Sequence, residues 1–93
     1  MRTIERTARF RRDYKRELKK YGKSALEAVF IPALQLLCTD SPLPLKCGDH
    51  ALSGDWKDHR DCHIKPDLVL IYQKPDIDTL RLVRLGSHSE LGI

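Results

Sequence analysis

Apolar residues recur at helical spacing through the first part of the chain. Phe10, Tyr14, Leu18 and Tyr21 fall on one stripe, and Arg12, Arg16, Lys19 and Lys23 line up almost directly opposite. Thr7 is placed to N-cap this helix and Gly22 to stop it. A second face follows in Leu26, Val29, Phe30, Ala33, Leu34 and Leu37, opened by Ser24 and Glu27 at capping-box spacing. Pro32 falls inside that pattern. A proline there removes a backbone donor and crowds the preceding turn, which predicts a kink or a restart with the ring on the polar side.

The period changes after residue 40. Ser41 to Gly48 holds two prolines and a glycine without periodicity, and reads as a loop carrying Leu43 and Leu45 over the core. Strand patterns dominate beyond it: Arg60–Ile64, then Leu68–Gln73 (LVLIYQ), the most apolar and so the central one, then Thr79–Leu85 (TLRLVRL). The last two pair across a turn at Lys74–Asp78, and Thr3–Arg6 is a short first strand. Strand, two helices and an antiparallel meander make an α+β domain with both helices on one sheet face.

At 93 residues the chain has room for a single domain, 1–93, with one modest core. No apolar run approaches membrane-spanning length, and MRTIERTARFRR lacks the apolar segment of a secretory signal. The expected location is the cytoplasm. Three cysteines without C-x-x-C spacing, Cys38, Cys47 and Cys62, argue against a disulfide framework or a zinc knuckle and read as reduced bystanders. The net charge of +4 hides an asymmetry. Residues 1–23 carry ten Lys and Arg against Glu5, Asp13 and Glu17, whereas residues 24–93 carry seven basic and ten acidic groups. A basic arm suited to a polyanion is thus joined to a part suited to chemistry or to a partner.

That chemistry points to Asp49–Asp67, DHALSGDWKDHRDCHIKPD, where three of the four histidines and five aspartates surround the one tryptophan. Imidazole titrates near neutrality, so histidines gathered with carboxylates are the parts of a proton-transfer site. On a strand, Asp61 and His63 project to one face and Cys62 and Ile64 to the other. Asp67 follows the restricted Pro66, and His50 sits in a loop beside Asp49. His88 comes two residues after Gly86, with Arg84 on the same strand end. If these ends converge, His50, His63, Asp67, Arg84 and His88 form one set. It fits metal-free RNA cleavage: a base takes the 2′-hydroxyl proton, the oxygen attacks the adjacent phosphate, and an acid protonates the leaving 5′-oxygen. Arg84 would clamp the phosphate.

Each residue also has a plainer reading. His59 lies in a polar turn and reads as a solvated surface histidine. Taken singly, His50 and His88 read equally well as loop hydrogen-bonders. Asp61 could serve only to pair with Arg60 or Arg81, and Trp56 more often fills a core edge than stacks on a base. A basic helix face is usually just solvated. A metal site built on His59 and His63, with Asp61 and Asp67 as oxygen ligands, needs a helix for its i, i+4 spacing to converge, whereas this segment reads as turn and strand.

The residues resemble the RelE superfamily of bacterial toxins, and within it the YafQ-like mRNA interferases. The resemblance covers most of the chain. It is carried by D-H-x-L-x-G-x-W-x-x-x-R-D-x-H-I-x-P-D from Asp49 to Asp67, L-I-Y at Leu70–Tyr72 and R-L-G-S-H at Arg84–His88. It implies an α+β domain of two N-terminal helices packed on a curved antiparallel sheet of about four strands. It also implies a ribosome-dependent endoribonuclease without a cofactor or metal, cutting translated mRNA. His50, His63, Asp67 and His88 match the family's acid–base residues, and Arg84 matches an arginine that contacts phosphate. Asp61, Trp56 and Tyr72 would support that site. The face of Arg12, Arg16, Lys19 and Lys23 would meet ribosomal RNA.

The implied partners are a cognate antitoxin that blocks the toxin, the ribosome and its mRNA. Operator DNA would be contacted only through the antitoxin complex, and no membrane is involved. The chain departs from the family at His88-Ser89-Glu90-Leu91-Gly92-Ile93, where the family has an aromatic residue shortly after the last histidine. Stacking on a base is worth about 1–3 kcal/mol. The departure therefore carries a second expectation: a catalytically weakened toxin-fold binding module that keeps the antitoxin and ribosome contacts.

Overall fold

The computed structural model describes all residues from Met1 to Ile93. In chain order it contains β1 (Thr3–Arg6), α1 (Ala8–Tyr21), α2 (Lys23–Cys38), β2 (His50–Ala51), β3 (Arg60–Lys65), β4 (Leu68–Gln73), β5 (Thr79–Gly86) and α3 (His88–Leu91). Single 3-10 turns at Leu45–Cys47 and Gly54–Trp56 interrupt the loops around β2. The strands form one sheet in the order β1-β5-β4-β3-β2. β1 runs parallel to β5, and every other pairing is antiparallel. This is the expected α+β arrangement, with a fifth strand added at the edge: His50 lies on β2, opposite Asp61, rather than in a loop.

β4 is the central strand, and its continuous apolar run follows from burial on both faces. Leu68, Leu70 and Tyr72 join Leu80, Leu82, Leu85 and Cys62 against Phe10 of α1 and Leu26, Phe30, Leu34 and Leu37 of α2. Val69 and Ile71 face the other way. They form a small second cluster with Leu91, and Leu52, Trp56 and Val83 close over it. Trp56 thus fills a core edge, as its plainer reading has it.

Thr7 caps α1 by accepting the Phe10 N–H at 3.0 Å, as expected. Gly22, at φ 84°, ends α1 and also starts α2 at Lys23. The capping box expected at Ser24 and Glu27 is therefore absent; Ser24 lies inside the helix and the cap has no side-chain bond. One residue in the left-handed region joins the helices directly and leaves no turn in which Ser24 could act. Lys23 consequently belongs to α2, where its ammonium lies 3.9 Å from Glu27. Pro32 does not restart the helix, which runs unbroken from Lys23 to Cys38, and its ring is exposed beside Ala28, Val29 and Leu36 rather than on a polar face. No helix is long and apolar enough to cross a membrane.

Candidate active site

Three segments converge on the sheet face opposite the helices. β3 presents Asp61 and His63, the β3–β4 turn presents Asp67, and α3 begins with His88. A continuous polar chain results. His63 Nδ1 lies 3.0 Å from the Cys47 carbonyl oxygen, His63 Nε2 lies 3.1 Å from His88 Nε2, and His88 Nδ1 lies 2.7 Å from Asp67 Oδ1. The same carboxylate oxygen accepts the His88 backbone N–H at 3.0 Å. Gly48, at φ 55°, allows this approach, since a Cβ there would lie 3.1 Å from His63 Nδ1.

Hydrogen-bond chemistry fixes where the protons stand. A carbonyl oxygen only accepts, so His63 Nδ1 carries a proton, and an ionised carboxylate only accepts, so His88 Nδ1 carries one too. With both rings neutral, two lone pairs would then face each other at 3.1 Å. A bond between them requires one further proton. The two rings are thus placed to share a proton, with Asp67 standing on the far side of His88 as a counter-ion. Asp67 is itself held below the ordinary carboxylate range by the His88 backbone N–H and then by the His88 ring, so the counter-ion stays ionised.

His50 stands on the neighbouring strand β2, opposite Asp61. Its Nδ1 lies 2.8 Å from the Gly48 carbonyl oxygen and 2.9 Å from Oδ1 of the buried Asp61, an oxygen without any other partner. Tyr72 supports this edge from beneath. Its hydroxyl donates to Asp49 Oδ1 at 2.5 Å and the Arg60 Nε–H donates to the same oxygen at 3.3 Å, which ties down the residue before His50. Burial and the Asp49 bond push the Tyr72 hydroxyl well above its usual range, so it stays a donor.

Arg84 does not join the set. Its Nε and Nη2 donate to the two oxygens of Asp13 at 2.7 and 3.2 Å, and only 14% of its side chain is exposed. The cause lies in the strand. β1 stops pairing at Leu82, which leaves the Leu85 N–H at an open edge, and Asp13 Oδ2 accepts it at 3.0 Å. Burial alone would raise the Asp13 pKa, but the Arg84 bond, the Leu85 N–H and the charges of Arg84 and Arg16 together lower it. Arg84 thus neutralises a buried carboxylate rather than standing free for a phosphate.

Arg16 is similarly engaged, with Asp13, Glu17, Glu90 and the Leu85 carbonyl. On the exposed side of α1 it forms a basic depression with Arg12, Lys15, Lys19 and Lys20. Lys23 is not part of it. His59 Nδ1 turns to the Lys57 carbonyl at 2.9 Å and His59 stays out of the site. All three cysteines are buried and unpaired, and burial raises the Cys38 and Cys62 thiols, which disfavours a thiolate nucleophile. No three metal-ligating side chains group together.

A groove of about 780 Å³ leads to the pair. Pro32 and Leu36 of α2 form one wall, Leu43 and Pro44 another, and Lys46, His63 and Lys65 stand at its end. The sequence pattern missed Cys47, whose contribution is a backbone carbonyl and so independent of residue type. It also missed Lys15 and Lys20, which flank the predicted basic row.

The family described as "Bacterial toxin of type II toxin-antitoxin system, YafQ" matches residues 2–92. The mRNA interferase toxin YafQ of Escherichia coli K12 is 37% identical over 90 residues, covering 97% of this chain and 95% of its own. A metal-bound toxin from Helicobacter pylori superposes with a TM-score of 0.87 at 46% identity, over 98% of this chain and 99% of that one. YafQ in the E. coli DinJ-YafQ toxin-antitoxin complex superposes with a TM-score of 0.82 at 34% identity, over 97% and 96%.

Proposed function

The chain belongs to the YafQ family of bacterial toxins of type II toxin-antitoxin systems, and on that premise we propose that it is an mRNA interferase that cuts translated mRNA on the ribosome by metal-independent acid–base attack of the 2′-hydroxyl. The observation that carries the proposal is the 3.1 Å contact between His63 Nε2 and His88 Nε2, buttressed by Asp67. Such a pair is a base and an acid in one unit. With the RNA backbone between the rings, His88 takes the role of the acid, because its ionised carboxylate partner stabilises imidazolium better than the neutral carbonyl beside His63 does. His63 is left neutral.

The reaction then balances. His63 Nε2 takes the 2′-hydroxyl proton, the freed oxygen bonds to the adjacent phosphorus, the bond from phosphorus to the 5′-oxygen breaks, and His88 Nε2 protonates that oxygen. The products are a 2′,3′-cyclic phosphate and a 5′-hydroxyl, and the pair ends with the charge it began with. DNA lacks the nucleophile. His50 has its Nδ1 turned to the Gly48 carbonyl and Asp61, which leaves Nε2 available to the phosphate or the 2′-oxygen. The groove ending at His63 offers apolar walls for a base and two lysines for phosphate. The basic depression on α1 suits ribosomal RNA, whose phosphates favour clustered cations.

The E. coli relative forms a complex with the antitoxin DinJ, and a cognate antitoxin is the corresponding partner proposed here. The deciding experiment is primer extension on mRNA translated with purified ribosomes, with and without EDTA. New 5′ ends that need ribosomes and persist in the chelator are expected. Cleavage lost in EDTA would overturn metal independence, and the absence of new ends would leave a binding module.

A further inference from the structure

We propose that Arg16 and Glu90 are positioning residues for His88: the ion pair between α1 and α3 sets where the His88 ring stands opposite His63. The inference rests on the catalytic reading above and adds to it residues that touch no reacting atom. α3 has only four residues, Ser87-capped and ended by Gly92. A helix so short cannot maintain itself, so its place is dictated by what it docks against.

Two attachments are visible beyond the Asp67 bonds. Leu91 is buried on Val69 and Ile71. Glu90 uses both oxygens: Oε1 accepts the Ser87 N–H at 2.9 Å to complete the capping box, and Oε2 lies 3.1 Å from Arg16 Nε. His88 is the residue between those two caps and must follow them.

Arg16 is an anchor because its own position is over-determined. Nη2 donates to the Leu85 carbonyl at 2.8 Å, Nη1 to Asp13 Oδ1 at 3.1 Å and Nε to Glu17 Oε2 at 2.8 Å. Gly86 makes room for it. A Cβ there would lie 2.8 Å from Arg16 Nη2 and 3.2 Å from Glu90 Oε1. The glycine before Ser87-His88 therefore lets a guanidinium from α1 reach the strand end and the helix together. The charge pattern of α1 alone would turn Arg16 toward RNA. Three carboxylates and a strand carbonyl bind it inward.

The test uses the full chain with ribosomes and translated mRNA, together with imidazole NMR of the free protein. Glu90→Gln keeps the amide oxygen for the Ser87 cap and removes the charge facing Arg16. The Glu90 side chain is 38% exposed, so the variant folds. The expected result is a kcat lower by roughly ten- to hundredfold with KM unchanged, the scale of an ångström-sized misplacement. The imidazole signals of His63 and His88 should shift with it. Glu90→Gln made in an Arg16→Gln chain should add little to the kcat loss and imidazole shift that Arg16→Gln alone produces.

Unchanged kcat and unmoved imidazole signals in Glu90→Gln would overturn the proposal. So would an Arg16→Gln chain that raises KM and weakens the salt dependence while the imidazole signals stay put, since that marks an RNA contact. If the parent chain itself makes no 5′ ends, the interferase reading falls, yet the imidazole signals still decide whether Glu90 positions His88.

Discussion

His63 and His88 meet through their Nε2 atoms at 3.1 Å, while each Nδ1 is already committed to an acceptor, the Cys47 carbonyl and Asp67. Neither ring can be replaced without stranding the other. Groups that work as one unit lose most of their effect when either is removed. His63→Ala and His88→Ala should each lower single-turnover cleavage by about a hundredfold to ten-thousandfold. The double variant should be no worse than about threefold below the weaker single. Strictly multiplicative losses in a rapid-quench assay would show two independent groups instead.

Gly86 has an ordinary backbone, so alanine there is limited by space rather than by dihedral strain. The added carbon would push on the far end of the Arg16 side chain, 2.8 Å away. A guanidinium can swing aside, but only by leaving the Leu85 carbonyl or Glu90. Overpacking of this kind costs about 1–3 kcal/mol. Gly86→Ala should therefore melt about 5–15 °C lower and cut more slowly, with calorimetry and primer extension run on the same preparation. A variant as stable and as active as the parent would mean that Arg16 does not depend on that gap.

Most of the fold was legible because its periodicities are strong. The stripe of Phe10, Tyr14, Leu18 and Tyr21, the run LVLIYQ and the alternation of Thr79–Leu85 each map onto an observed element. The two-residue β2 carries no pattern of its own and exists only because β3 leaves an edge beside it. In the site, Asp61 and His63 were readable from strand alternation, whereas the meeting of His63 with His88, 25 positions apart, depends on how β4 and β5 fold back.

Arg84 is held by a partner, Asp13, that its own stretch of sequence does not show. Glu17, which falls by helical phase at the margin of the apolar stripe of α1, and Asp13 one step beyond it were the available signals, since carboxylates buried there demand cations. Arg84 and Arg16 answer that demand. Arg84 could not be assigned from the sequence alone, because its pairing joins α1 to β5 across 71 positions, whereas Arg16 lies within one helical turn of both carboxylates.

Acid should unfold the chain earlier than its modest core alone would suggest. Asp13, Asp40, Asp67, Asp76 and Glu90 all have folded-state values below their ordinary ones. Hydrogen bonds from Arg2 and Lys74 bring Asp40 down to about 2. A carboxyl lowered in this way stabilises the fold above its unfolded value of about 4, and that contribution is lost as pH falls through the folded value. Urea midpoints should hold steady from pH 7 to about 5 and drop steeply between about 4 and 2. Asp40→Asn should be slightly less stable than the parent at pH 7, and the difference should shrink as pH falls through about 2. A midpoint indifferent to pH across that window would contradict the ionised pairs.

The basic depression on α1 makes a prediction of a different kind, because long-range attraction to phosphates acts on binding and not on the bond being cut. Arg12, Lys15, Lys19 and Lys20 line it alongside Arg16, and Arg16 alone is tied into the interior by short bonds. Replacing the other four by alanine spares the Glu90 anchor. Each phosphate contact removed should flatten the slope of log affinity against log salt by about 0.7 to 0.9. The quadruple variant should bind ribosomes more weakly at low salt, and the gap to the parent should close as salt rises. KM should increase while kcat at saturating ribosomes is kept. Sedimentation with ribosomes over a salt series gives the slope directly. An unaltered slope would mean that these cations are merely solvated and that the ribosome meets another face of the protein.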